Sequence, residues 1–111
     1  MTEDEARAAL LERRKQLARE DAANADSRDT VELQQDSVGR LSRMDAIQQQ
    51  AMAQAQERRR AAKRTRIAAA LKRLDEGEWG YCLRCGEEIA EARLRHDPSV
   101  AVCVGCASGA D

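Results

Sequence analysis

Large apolar residues are sparse over the first two thirds of the chain and recur at helical spacing. Leu10 and Leu17 stand one heptad apart, flanked by Ala6, Ala9, Leu11 and Ala18, so a narrow apolar stripe runs between Glu, Arg and Lys. Thr2 lies three residues before Glu5 and ahead of that run, the spacing at which hydroxyl and carboxylate cap the first helical N–H groups reciprocally. A first helix is expected from there to about Asn24. Between Asn24 and Val38, Asn, Asp, Ser and Thr accumulate, side chains that compete for backbone hydrogen bonds and favour turns. The chain is expected to reverse there, with Val31 and Leu33 in a short helical turn.

From about Ser37 to Asp75 there is no Pro and only Gly39, and the interior is Gln, Ala, Arg, Lys and Leu, all strong helix formers. This reads as one long second helix. Leu41, Met44, Ala51, Ala55 and Ala62 recur at a spacing near 3.5, which predicts a coiled-coil seam against the first helix. Ile67, Leu71 and Leu74 fall on a different face, so the stripe is expected to change partner near the end of the helix. At a rise of about 1.5 Å per residue the second helix would span almost 60 Å and the first only about 33 Å, an unequal pair.

Past Glu76 the long period gives way to short spacings, with Gly77, Gly80, Gly86, Pro98 and Gly105 read as turn residues. The fold class expected is mainly α: an antiparallel helical hairpin (coiled coil) over residues 1–76, with a tip loop at about 24–38, followed by a small four-cysteine zinc-finger module over 77–111.

Composition narrows this further. The 111 residues are 42% hydrophobic, mostly alanine, but only 2% aromatic with no Phe, so burial at about 25 cal/mol per Å² cannot build a thick core. Elongated helices with a metal staple are expected instead. The formal charge of −1 conceals three blocks: ten acids and six bases up to Val38, ten bases and four acids from Gly39 to Glu76, and six acids and three bases beyond. The acidic start, Met1-Thr-Glu-Asp-Glu-Ala6, lacks the basic and apolar regions of a secretory signal, and no apolar run approaches the roughly 18 residues of a membrane span. A cytoplasmic protein is expected, where reduced cysteines favour metal over disulfide.

Two Cys-x-x-Cys knuckles, Cys82 to Cys85 and Cys103 to Cys106, are separated by seventeen residues, within the window of a four-cysteine zinc site. Four thiolates close a tetrahedral Zn²⁺ shell and leave no position for a reacting water, which points to structure over catalysis. His96 and Asp97 lie between the knuckles as alternative ligands, but the four cysteines already satisfy the ion. Trp79 and Tyr81, the only aromatics, read as a small hydrophobic cap joining helix to module in preference to a base-stacking platform.

The string Gly77-Glu-Trp-Gly-Tyr-Cys-Leu-Arg-Cys-Gly-Glu-Glu-Ile89, continuing to Arg93-Leu94 and Cys103-Val-Gly-Cys106, resembles the DksA/TraR family of four-cysteine zinc proteins. The resemblance implies a helical hairpin ahead of the module and a transcription regulator that binds RNA polymerase directly. In such proteins the hairpin enters the secondary channel and its tip approaches the catalytic centre. The tip motif of the family is Asp-x-x-Asp-x-Ala, and counting back from Cys82 places Gly39, Ser42 and Met44 at those positions. The only literal Asp-x-x-Asp, Asp26/Asp29, is followed by Val31 and lies too far from Cys82, whereas Asp36 and Asp45 flank the expected place. Asp36, Gly39, Ser42 and Asp45 are therefore the candidate polymerase-binding tip, with a weakened or altered effect on transcription expected.

A second class of function, nucleic-acid binding, is raised by Arg58, Arg59, Arg60, Lys63, Arg64 and Arg66. All but Arg58 fan across the side opposite the Ala51/Ala55/Ala62 seam, and Arg59, Lys63 and Arg66 define the candidate basic face. Arg59 and Arg66 also fall where the resemblance places basic residues, some of which serve a nucleotide alarmone in the family. Near-zero net charge and the lack of interleaved aromatics argue against strong independent DNA binding. A third class is a coiled-coil scaffold with a zinc head that bridges proteins. No nucleophile with an adjacent base and no phosphate loop is present, so an enzyme is not expected.

Overall fold

The computed structural model describes residues 1–35 and 40–109, with side chains described for 1–24 and 43–109. Two long helices, α1 (Glu3–Gln35) and α2 (Arg40–Glu76), form an antiparallel hairpin and are followed by two single-turn helices, α3 (Glu91–His96) and α4 (Val104–Gly109). The fold is mainly helical, and its only described β pairing is an isolated antiparallel bridge between Tyr81 and Glu88.

The start of α1 forms as its residues dictate. The Glu5 amide donates to Thr2 Oγ1 at 3.1 Å, and the Thr2 amide donates to Glu5 Oε1 at 3.3 Å, closing the reciprocal cap. The helix does not stop near Asn24, however, and continues to Gln35. The Asn24 side-chain Nδ2 donates to the Glu20 carbonyl at 2.7 Å, one turn back, so the competing hydrogen bond is made inside the helix and the helix runs on past it. Most of the segment expected as a tip loop is thus helical; within it, residues 36–38 lie outside the described residues. The two helices, 33 and 37 residues long, are near equals, contrary to the mismatch expected.

At the other end, α2 stops at Gly77, whose φ of 73° is costly for any residue with a Cβ. Its amide donates to the Leu74 carbonyl at 3.2 Å while that of Glu78 donates to the Arg73 carbonyl at 2.8 Å, the paired bonds of a Schellman cap.

Burial along α2 corrects the predicted seam. Burial or half-burial recurs at Ala53, Glu57, Arg60, Arg64, Ile67, Leu71 and Leu74, an unbroken alternation of four and three, whereas of the predicted seam Met44, Ala51 and Ala62 are exposed, Ala55 is half-buried and the side chain of Leu41 lies outside those described. The seam facing α1 lies half a turn from the alanine stripe, and it needs no change of face to include Ile67, Leu71 and Leu74. Exposed alanine costs a helix nothing, being its best former, and arginine can lay its methylene stem in a seam while its head finds an acceptor. Counting Ala as inside and Arg as outside therefore picks the wrong side.

The chain divides into two compact units, residues 1–14 with 63–111 and residues 15–62. In the first, Ala6, Leu10, Ile67, Ala70, Leu74, Trp79, Ile89 and Leu94 are buried, and Leu10 and Pro98 are the largest fully enclosed side chains. Arg7 pairs with Asp75 at 2.8 Å on its surface. In the second unit, among the described side chains, only Leu17 and Arg60 are buried, and Arg60 Nε donates to Asp21 Oδ1 at 2.7 Å.

Candidate metal centre

Both knuckles are held by the backbone of the first unit. The Cys82 amide donates to the Glu87 carbonyl at 2.8 Å and the Gly86 amide returns to the Cys82 carbonyl at 2.9 Å, closing a tight loop round Cys85. Gly86 sits there at φ 77°, as the turn requires. The Ala107 amide donates to the Cys103 carbonyl at 2.9 Å, so the second knuckle opens α4, and Gly105, expected in a turn, belongs to that helix. A bond from the Leu83 amide to the Ala101 carbonyl at 2.9 Å ties the two knuckles together.

This backbone brings the Sγ atoms of Cys82, Cys85, Cys103 and Cys106 within 4.8 Å of one another. Cys85 and Cys103 Sγ are 3.7 Å apart, close to the edge of a tetrahedron with metal–sulfur bonds of about 2.3 Å. Amides of Arg84 and Cys106 donate to Cys82 Sγ and Cys103 Sγ, each at 3.4 Å, stabilising negative sulfur. The Cys82 thiol is lowered to about 6, first by the Cys85 amide, with those of Cys103 and Arg84 adding to it against burial. Cys106 is pushed up to about 12 by the crowded thiols of Cys103, Cys82 and Cys85. Against the Glu87 amide, which pulls it down, the Cys82 thiol and burial push Cys85 up. Four sulfurs this close cannot all shed their protons unless a cation takes their place, and the donor set and spacing fit a structural Zn²⁺.

His96 and Asp97 are not part of this cluster. The His96 carbonyl accepts from Arg13 Nη2 at 2.8 Å. Asp97 Oδ1 accepts from the Ser99 amide at 3.0 Å, from its hydroxyl at 2.6 Å and from Arg13 Nη1 at 3.2 Å. Burial alone would raise the Asp97 carboxyl, but the Ser99 donors and the charges of Arg13 and Arg66 outweigh it and hold it below the usual carboxylate range.

Arginine side chains and Trp79 pin the loops that the sequence left open. Arg73, buried, donates to the Val100 carbonyl at 3.3 Å, Arg93 to that of Val102 at 3.0 Å, and Arg84 to that of Cys106 at 3.3 Å. Trp79 Nε1 donates to the Pro98 carbonyl at 2.9 Å in a buried position, and the N-terminal amine pairs with Glu91. Trp79 is the expected cap, whereas Tyr81 is exposed. Arg73 and Arg93 act on main-chain carbonyls, which carry no residue signature, and Arg13 reaches across more than eighty residues to the His96 carbonyl and the Asp97 carboxylate. The Asp97/Ser99 turn is local and leaves such a signature.

Residues 77–111 match the prokaryotic dksA/traR C4-type zinc finger. The likeness to the DksA/TraR family by sequence is thus carried by the zinc-finger module. An RNA polymerase-binding transcription factor DksA of Haemophilus influenzae is 46% identical over 41 residues, 37% of this chain and 28% of that protein. An uncharacterized protein of Aquifex aeolicus gives the same identity and the same two shares. The alignment thus spans little more than a quarter of either relative. The solved structure of transcription factor DksA2 from Pseudomonas aeruginosa has the same fold, with a TM-score of 0.82 at 22% identity over 97% of this chain and 81% of that one.

Of the DksA/TraR tip positions expected here, Asp36 and Gly39 lie outside the described residues, as does the side chain of Ser42, and Asp45 is exposed on α2. Arg59, Lys63 and Arg66 are exposed, Arg59 and Arg66 beside the alanine stripe and not opposite it, but Arg60 and Arg64, expected on the same open side, turn into the seam. No helix among the described residues is long and apolar enough to cross a membrane.

Proposed function

We propose that this protein is a transcription regulator that binds RNA polymerase directly and inserts the tip of its helical hairpin into the secondary channel. The observation that carries the reading is the join of a DksA/TraR zinc finger to two long helices in the fold of a transcription factor. A pair of helices is thin enough to enter a narrow channel, and a zinc module at its base suits a stop at the channel mouth. Residues 1–76 then act as the probe and 77–111 as the head. The zinc is structural in this reading, and the protein acts by binding without catalysing a reaction. The polymerase is taken to be cytoplasmic and the regulator with it. In this reading Asp36, Gly39, Ser42 and Asp45 are the residues that engage the polymerase. Arg59, Lys63 and Arg66 form an outward basic face suited to polymerase or to a nucleotide alarmone.

The test is copurification with RNA polymerase, followed by competition with a known secondary-channel factor. Binding that the competitor abolishes is expected. Binding without competition, or none, removes the channel reading and puts a zinc-headed protein scaffold ahead.

A further inference from the structure

Met44, Ile47 and Met52 of α2 are 57%, 62% and 63% exposed, on the side turned away from the seam. With the exposed Ala51 and Ala62 and the half-buried Ala55 they make a second stripe at heptad spacing, apolar but for Gln48 and Arg58. Asp45 and Arg59, both exposed, flank it on the same side, fourteen residues apart, and neither has an ion-pair partner among the described residues.

We infer that this stripe is a homodimer interface, on which α2 of a second copy packs antiparallel about a two-fold axis near Met52. The stripe fits its own reverse. In that register Met44 faces Ala62 of the second copy, Ala51 faces its Ala55, and Met52 meets Met52 on the axis. Asp45 stands beside Arg59 of the second copy, and the symmetry repeats the pair at the other end. A parallel arrangement would instead set Arg58 against Arg58 inside the seam, so charge selects the antiparallel one. The small side chains at the centre let the helices approach closely, and the large ones fill the space beside them.

A contact confined to Met44–Ala62, about 28 Å of one helix, falls in the small-interface class below about 1,200 Å², so the association is weak and reversible. A dissociation constant on the order of 10 to 100 μM is expected. Sedimentation equilibrium of the full, zinc-loaded chain from about 1 μM to about 1 mM reads it directly. Asp45→Arg and Arg59→Asp should each raise the constant about tenfold, because each turns two attractions into two repulsions. The double charge reversal should return it to within about threefold of the parent. A photocrosslinker in place of Met52 should join two copies through α2, and one in place of Gln50 should not; circular dichroism checks that each variant keeps its helix. A monomer throughout the range, a dimer indifferent to both single reversals, a double variant as weak as the singles, or crosslinking at Gln50 in preference to Met52 would each overturn the inference.

Discussion

Arg60 and Asp21 are joined by a 2.7 Å hydrogen-bonded ion pair between α2 and α1, with the Arg60 residue only 9% exposed. The carboxylate is more open, its side chain 35% exposed, so water screens part of the interaction. Removing the acceptor leaves a buried guanidinium without it. Asp21→Ala should therefore destabilise the second unit by about 1–3 kcal/mol. Asp21→Leu with Arg60→Met, which replaces both charges by apolar bulk, should unfold within about 1 kcal/mol of the parent or be more stable. Urea unfolding of Asp21→Leu, Arg60→Met and the double measures the coupling, and losses in the two singles that simply add up to that of the double would show that the pair contributes nothing specific.

Zinc and the indole of Trp79 should report on one another. Binding energy at such a site is on the order of 10 kcal/mol and is folding energy for the small module around it. Chelation, or Cys103→Ser, should unfold residues 77–109 and shift the emission of this single Trp to the red, while far-UV helicity falls much less. Protein purified under reducing conditions without bound zinc, or unchanged emission after chelation, would contradict the assignment.

Asp97 makes stability fall in acid. Its carboxyl is held below the ordinary value in the folded chain, so its contribution is complete above the unfolded value of about 3.9 and is lost as pH drops through the lower folded one. Asp97→Asn should lower stability at neutral pH and flatten the acid limb of a melting-temperature profile below about pH 4. A profile parallel to that of the parent would exclude the role.

The outward bases should not make this a free-standing DNA binder. Duplex affinity at physiological salt should be weak, and neutralising Arg59, Lys63 and Arg66 together should reduce both it and its salt slope. Submicromolar binding without polymerase would place nucleic-acid binding ahead of the polymerase reading.

Tip acids should matter more for effect than for binding. Asp36→Asn with Asp45→Asn should change transcription from sensitive promoters more than it changes affinity for polymerase. Equal changes in both would make these carboxylates part of the docking surface instead.

What the chain determines locally could be read without coordinates. The Thr2/Glu5 cap, the Pro-free course of α2 and its stop at Gly77 depend on neighbours a few residues away. The four cysteines were legible for a related reason: their spacing is itself the chemical requirement of a tetrahedral ion, and the structure brings all four together. The inner side of α2 was decided only in three dimensions. Alanine is as content outside a helix pair as within it, and an arginine becomes a seam residue only where a carboxylate such as Asp21 stands opposite. The length of α1 was likewise not legible: the Asn24 side chain bonds back to the Glu20 carbonyl within the helix, which runs on to Gln35. Least readable of all were the anchors of the zinc module. Arg73 to Val100, Arg93 to Val102 and Trp79 to Pro98 end on carbonyls that every residue carries, so only the tertiary fold selects which of them a side chain reaches.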